Sequence, residues 1–235
     1  MPVTGNNPTH KNLSIRFSTD GFSFCANGNR KSVPFTKPDT WFRRCMAIAL
    51  CEPALWEQYD TINIDIDDNP YALVPSAMFN ENECTSIIKF NHPGISLRHY
   101  TIHTDNMDGF DITNIYTINT ELYNFIQTNF PYATISHIST SLIAEALMHS
   151  KKSNTTQAWC IPSEKHMITV VADCGNLLLT NRFSLLNDTD AAYYIGAIFN
   201  QYNLSQTETY LYVKGENPSI IEKLKKYVSN TITVE

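Results

Sequence analysis

Alternation of apolar and polar positions marks out strands at both ends of the chain. Ile168–Phe183, ITVVADCGNLLLTNRF, reads as two strands about a tight turn at Asp173-Cys174-Gly175. Leu13–Ala26, LSIRFSTDGFSFCA, is a weaker echo turning at Asp20-Gly21. A hairpin in each half suggests two similar subdomains about one cleft. Tyr59–Asp67 alternates cleanly, with Ile62, Ile64 and Ile66 on one side and Asn63, Asp65 and Asp67 on the other. Leu97–His103 and Phe110–Ile118 form a further hairpin around 105–109.

Helical spacing lies between these strands. Pro38-Asp39 opens a helix whose apolar stripe is Phe42, Met46, Ala49 and Leu50. Asn80–Phe90 and Asn119–Asn129 are short helices. Tyr132–Ile138 is a strand, and Ser139-Thr140-Ser141 caps a helix to about Ser150 with Leu142, Ile143, Ala146 and Leu147 in its core. The polar connector KKSNTT, 151–156, places a boundary between subdomains near residue 150. After it the spacing gives strands at 157–161, 167–172 and 177–185, then helix, strand, helix opened by Gly215 and Pro218, and a closing strand at 231–234. The first half follows a similar plan with an insertion. The expected organisation is a loose tail at 1–12 and subdomains at 13–150 and 157–235. The fold class is α/β with mixed sheets covered by helices.

Composition narrows the functions. The 235 residues are 43% hydrophobic, enough for a sizeable core. Lys and Arg number 17 against 23 Asp and Glu, a net charge of −6, which argues against a nucleic-acid backbone as partner. The polar start, MPVTGNNPTHKN, carries no secretory signal, and no run is long enough for a membrane span. The six cysteines form no CxxC pair, which points to reduced thiols in a cytoplasm rather than disulfides or zinc.

This element order, a meander followed by helix, strand and helix and given twice, resembles the actin-like ATPase arrangement of two ribonuclease-H-like subdomains. The segments YALVPSAMF (71–79) and NIYTINTELYNFIQTNFPYATISHISTSLIAEAL (114–147) also resemble a family of uncharacterised bacterial proteins, a domain of unknown function with that fold. The resemblance spans Leu13 to the end. It implies a fold and no activity, since a shared fold does not carry function. Active actin-like ATPases hold phosphates and metal with an Asp-x-Gly turn in each subdomain. Asp173-Cys174-Gly175 matches the second turn, but Asn176 and Leu177 follow it where glycine, serine or threonine is usual. Asp20 is followed directly by Gly21, without the intervening residue. Where paired glycines usually bind adenosine, Lys214-Gly215-Glu216 offers one glycine and a negative charge. Turn chemistry alone also accounts for both hairpins.

Other clusters read mainly as structural. Asp65, Asp67 and Asp68 could hold a cation, but they run into an Asp-Asn-Pro turn. His99 and His103, on one strand face, lie about 13 Å apart by strand rise and cannot share a metal. His137 could assist an anion at the following helix start, where capping alone explains the hydroxyls. No catalytic or metal-ligating set is assigned. The ligand-cleft candidates are Asp20, Gly21, Asp173, Gly175, Lys214 and Gly215. The expected function is a non-catalytic binding or scaffold module on a degenerate actin-like fold, acting through a surface or a protein partner and needing no cofactor. The alternative is a divergent ATPase or kinase using ATP and Mg in the cleft. A nuclease is a distant third. The oligomeric state is not fixed by the sequence.

Overall fold

Leu13, Ile15 and Phe17 alternate along the first strand, and the structure buries all three. The structure, a computed structural model, describes residues 11–19, 21–35, 39–67, 70–215 and 217–234, without the side chains of Leu50 and Cys51. By internal contacts the chain divides into two units. The first holds residues up to Asn106 together with Asp111–Ile138; the second holds Met107–Phe110 and the chain from Ser139 onward. The division falls ahead of the polar connector at 151–156, so the long helix before that connector belongs to the second unit.

In the first unit the strands β1 (Asn12–Ser18), β2 (Gly21–Ala26) and β3 (Asn29–Pro34) form an antiparallel meander. After helix α1 (Trp41–Cys51), β4 (Thr61–Asp67) pairs parallel to β1. An insertion follows: β5 (Tyr71–Pro75), α2 (Cys84–Asn91), β6 (Tyr100–Met107) and β7 (Ile112–Asn119). Its strands form a separate sheet in the order β5-β7-β6, with Ala72, Cys84, Ile88 and Ile115 as its core. Helix α3 (Thr120–Asn129) then leads to β8 (Thr134–His137), parallel to β4. The main sheet reads β3-β2-β1-β4-β8.

The second unit takes in α4 (Ile138–Ser153) from its second residue and another meander, β9 (Thr156–Pro162), β10 (His166–Asp173) and β11 (Asn176–Ser184). Next come α5 (Asp188–Gln201), β12 (Tyr210–Lys214), α6 (Pro218–Tyr227) and β13 (Thr231–Val234). Strand β12 runs parallel to both β9 and β13. The sheet order β11-β10-β9-β12-β13 repeats that of the first unit. Helix α5 starts on a capping box, with Asn187 and Asp190 each bonding the other's end of the first turn. Its face Ala191, Ile195, Ile198 and Phe199 meets Ile220 and Leu224 of α6 in one core.

Three local readings change. Helix α1 buries Trp41, Cys45 and Ile48, whereas Phe42 and Met46 of the expected stripe are 61% and 45% exposed. Both sets have i, i+4, i+7 spacing, so periodicity could not choose between them. The choice comes from aromatic contacts: Trp41 meets Phe17 and Phe35 edge-on, with ring centroids 6.4 and 5.9 Å apart. His99 lies in a turn before β6 rather than on a strand with His103. Helix α4 begins at Ile138, which puts Ser139–Ser141 inside its first turn. The candidates Asp20, Asp68 and Glu216, and the helix-opening Pro38, lie outside the described residues.

Candidate functional site

Register within each sheet decides which candidates share an end. In the second unit Asp173 pairs with Thr156 and Met167 with Pro162, so the β10–β11 turn sits where β9 begins. Tyr210 pairs with Gln157 and Val213 with Cys160, so Lys214 and Gly215 sit where β9 ends. The length of β9 separates the two places by about 20 Å. The sheet therefore places Asp173 and Gly175 at one end and Lys214 and Gly215 at the other. Topology also re-matches the hairpins. The counterpart of the β1–β2 turn, where Gly21 lies, is the β9–β10 turn at Ser163–His166. The counterpart of Asp173–Gly175 is the β2–β3 turn at Asn27-Gly28. The strand spacing already places a turn at 162–166, but without a glycine it is not among the ligand candidates.

The Asp173–Gly175 turn is a close two-residue hairpin. Cys174 and Gly175 both take positive φ, +49° and +87°, and Asp173 pairs directly with Asn176. The Asp173 carboxylate accepts from Thr156 Oγ1 at 2.6 Å and from Cys174 Sγ at 3.5 Å. Gly175 N–H donates to Ser150 Oγ of α4 at 3.0 Å. A Cβ at Gly175 would stand 2.9 Å from Lys151 Cβ. Here the glycine lets α4 approach the turn.

At Gly21 the need is similar. Its N–H donates to Ser18 Oγ at 3.1 Å, and a Cβ would meet Val33 O of β3 at 3.1 Å. The other end of the second sheet holds Lys214, whose Nζ donates to Glu145 Oε2 of α4 at 2.8 Å. Gly215, at φ +151°, lies against the end of β9, with Pro162 O 3.4 Å from the position of a Cβ.

The carboxyl ends of the parallel strands in the first unit carry the acidic residues weighed as cation ligands. Arg16 Nε and Nη2 donate to Asp67 Oδ2, and Asp67 is 1% exposed. Ser136 Oγ donates to Asp65 Oδ1 at 3.2 Å. The carboxylates are thus engaged with a guanidinium and a hydroxyl. Among the described residues no group of three or more His, Cys, Asp and Glu is placed to hold a metal ion.

Sequence reasoning missed one cluster. His137, buried at the end of β8, lies between Tyr71 and Tyr116, with ring centroids at 5.0 and 5.3 Å. Asp105 of β6 accepts from Tyr116 OH at 3.0 Å and from His137 N at 2.9 Å. His103 packs on Tyr116 and Tyr123. Thr101 Oγ1 donates to Ile118 O and so accepts from His103 Nε2–H, which puts the proton of the neutral ring on Nε2. Burial pushes the His103 pKa below its ordinary value, against the pull of Asp105. Burial and then Asp105 push the Tyr116 pKa up. The cluster joins the inserted sheet to the main sheet, and its members are too far apart in sequence for spacing to reveal them.

Two five-stranded sheets of one topology, each with helices on a buried face, define an actin-like ATPase fold. The chain belongs to the family described as "Protein of unknown function (DUF3822)", whose model matches residues 3–231. A Bacteroides thetaiotaomicron protein of actin-like ATPase fold and unknown function is similar at 22% identity, covering 96% of this chain and 91% of that one, with a TM-score of 0.79. The PilM–PilN type IV pilus biogenesis complex is similar at 8% identity, 97% and 89% coverage and a TM-score of 0.55. The ethanolamine utilization protein EutJ from Carboxydothermus hydrogenoformans is similar at 9% identity, 97% and 86% coverage and a TM-score of 0.50. At these identities the likeness concerns the fold alone. No curated protein matches the chain. Among the described residues no helix is long and apolar enough to cross a membrane.

Proposed function

We propose that this chain is a binding or scaffold module that keeps the actin-like fold without its nucleotide chemistry. One observation carries the reading. The chain's single Asp-x-Gly, Asp173-Cys174-Gly175, spends its glycine N–H on Ser150 Oγ and its open Cα on Lys151. A phosphate cradle needs free N–H groups and room for the phosphate oxygens to approach. Here the hydroxyl and the lysine stem take both. A metal-bound triphosphate does not fit these residues. A protein of this fold occurs in the PilM–PilN complex, and the role we propose is likewise assembly with a protein partner. The alternative, a divergent ATPase or kinase, would have to take its nucleotide at the other end of the sheet, by the β9–β10 turn.

Thermal unfolding with and without Mg-ATP, together with phosphate release, tests the reading. The expected results are an unchanged midpoint and release no faster than a blank without protein. A midpoint that climbs with nucleotide concentration would show specific binding. Mg-dependent phosphate release above the blank would make the chain an enzyme.

A further inference from the structure

The carboxyl end of the parallel strands in the second unit closes on its own charges. Strand β12 ends at Lys214, whose ammonium is held by Glu145 of α4 at 2.8 Å. Beside it β9 turns into β10, where Ser163 N–H donates to His166 O at 2.8 Å. That bond leaves Glu164 and Lys165 exposed at the tip. Gly215 abuts Pro162 and so ties the segment after β12 to the start of this turn. In open α/β sheets, ligands sit outside the carboxyl ends of the strands. A phosphate-bearing ligand reaching Lys214 would have to displace Glu145, at the end of the sheet that also carries Glu164.

We propose that Glu145 is a built-in anion which, with Glu164, closes this end of the sheet against phosphate-bearing ligands, and that removing the two carboxylates opens it to polyphosphate. The proposal deepens the binding-module reading and rests on it. Repulsion between like charges a few ångströms apart near a surface is large enough to decide binding at low ionic strength. The Glu145–Lys214 pair is itself a third or more exposed on both sides, at 40% and 33%. Such a pair adds little to stability, so Glu145→Gln is expected to fold.

Calorimetric titration of the full chain with inorganic pyrophosphate at low salt tests the proposal. The variants are Glu145→Gln, Glu164→Gln, their double, and the double with Lys214→Gln, each checked for folding by circular dichroism. The wild type is expected to give no binding heat. The double variant should give binding heat with an affinity at least about tenfold above the weakest that the titration detects, and Lys214→Gln should abolish the gain. Should Glu145→Gln not fold, Glu164→Gln alone, at an exposed turn tip, must still show part of the gain. Folded variants that gain nothing, or a gain that survives Lys214→Gln, would overturn the proposal while leaving the binding-module reading intact. Wild-type binding of pyrophosphate would overturn it as well. Wild-type stabilisation by Mg-ATP would instead count against the binding-module reading.

Discussion

Gly175 shows how one residue serves the backbone and the packing together. Its φ of +87° suits glycine, and the Lys151 stem fills the space where a side chain would begin. Gly175→Ala should therefore cost about 2 kcal/mol, summing left-handed strain and a displaced lysine. Urea unfolding would measure it, and a loss under about 0.5 kcal/mol would mean that the helix gives way freely. His103 sets a pH dependence. Its folded pKa lies below the ordinary 6.5, so above 6.5 both folded and unfolded chains are neutral there. As pH falls below 6.5 the unfolded chain takes up the proton first, and stability declines until the folded pKa is passed. His103→Gln should flatten that part of the profile, as measured by urea unfolding at steps between pH 7.5 and pH 5. An unchanged slope would assign the acid sensitivity to other groups.

Helix α1 makes the case at the scale of an element. Its two apolar stripes have equal spacing, but only Trp41, Cys45 and Ile48 enter the core. Ile48 is 4% exposed and Met46 45%. Ile48→Ala should lose about 2–5 kcal/mol through lost burial and a residual cavity. Met46→Ala should stay within about 0.5 kcal/mol of wild type. Comparable losses in the two variants would show that the Met46 face is covered too. Burial also raises the Cys45 pKa to about 12, with Glu121 adding to the shift. The thiol on the buried stripe therefore stays protonated and unreactive at neutral pH.

Across the whole molecule, the same strand order appears twice with different interiors. On the main sheet of the first unit, the row Arg16, Asp65, Asp67 and Ser136 is polar. On the second, β9 and β10 are buried along nearly their whole length, as suits a central pair of strands with both faces covered. The fold is kept while the turns differ: Ser18–Gly21 in one half, Ser163–His166 in the other. Chemistry in this architecture would depend on those turns and strand ends, so the repeated topology alone assigns no activity.

Alternation and spacing by themselves determined the element order, the inserted hairpin and the repeated meander–helix–strand plan. They did so because a strand or helix with one buried face writes its period into the sequence. They also determined the core of α4, where a single apolar stripe left no choice. Tertiary structure alone decided which stripe of α1 is buried, because two equivalent stripes differ only in what they meet. It alone separated Asp173 and Gly175 from Lys214 and Gly215, since the end of a sheet a residue occupies depends on strand direction and register. Those are set by partners far along the chain, and local sequence does not encode them.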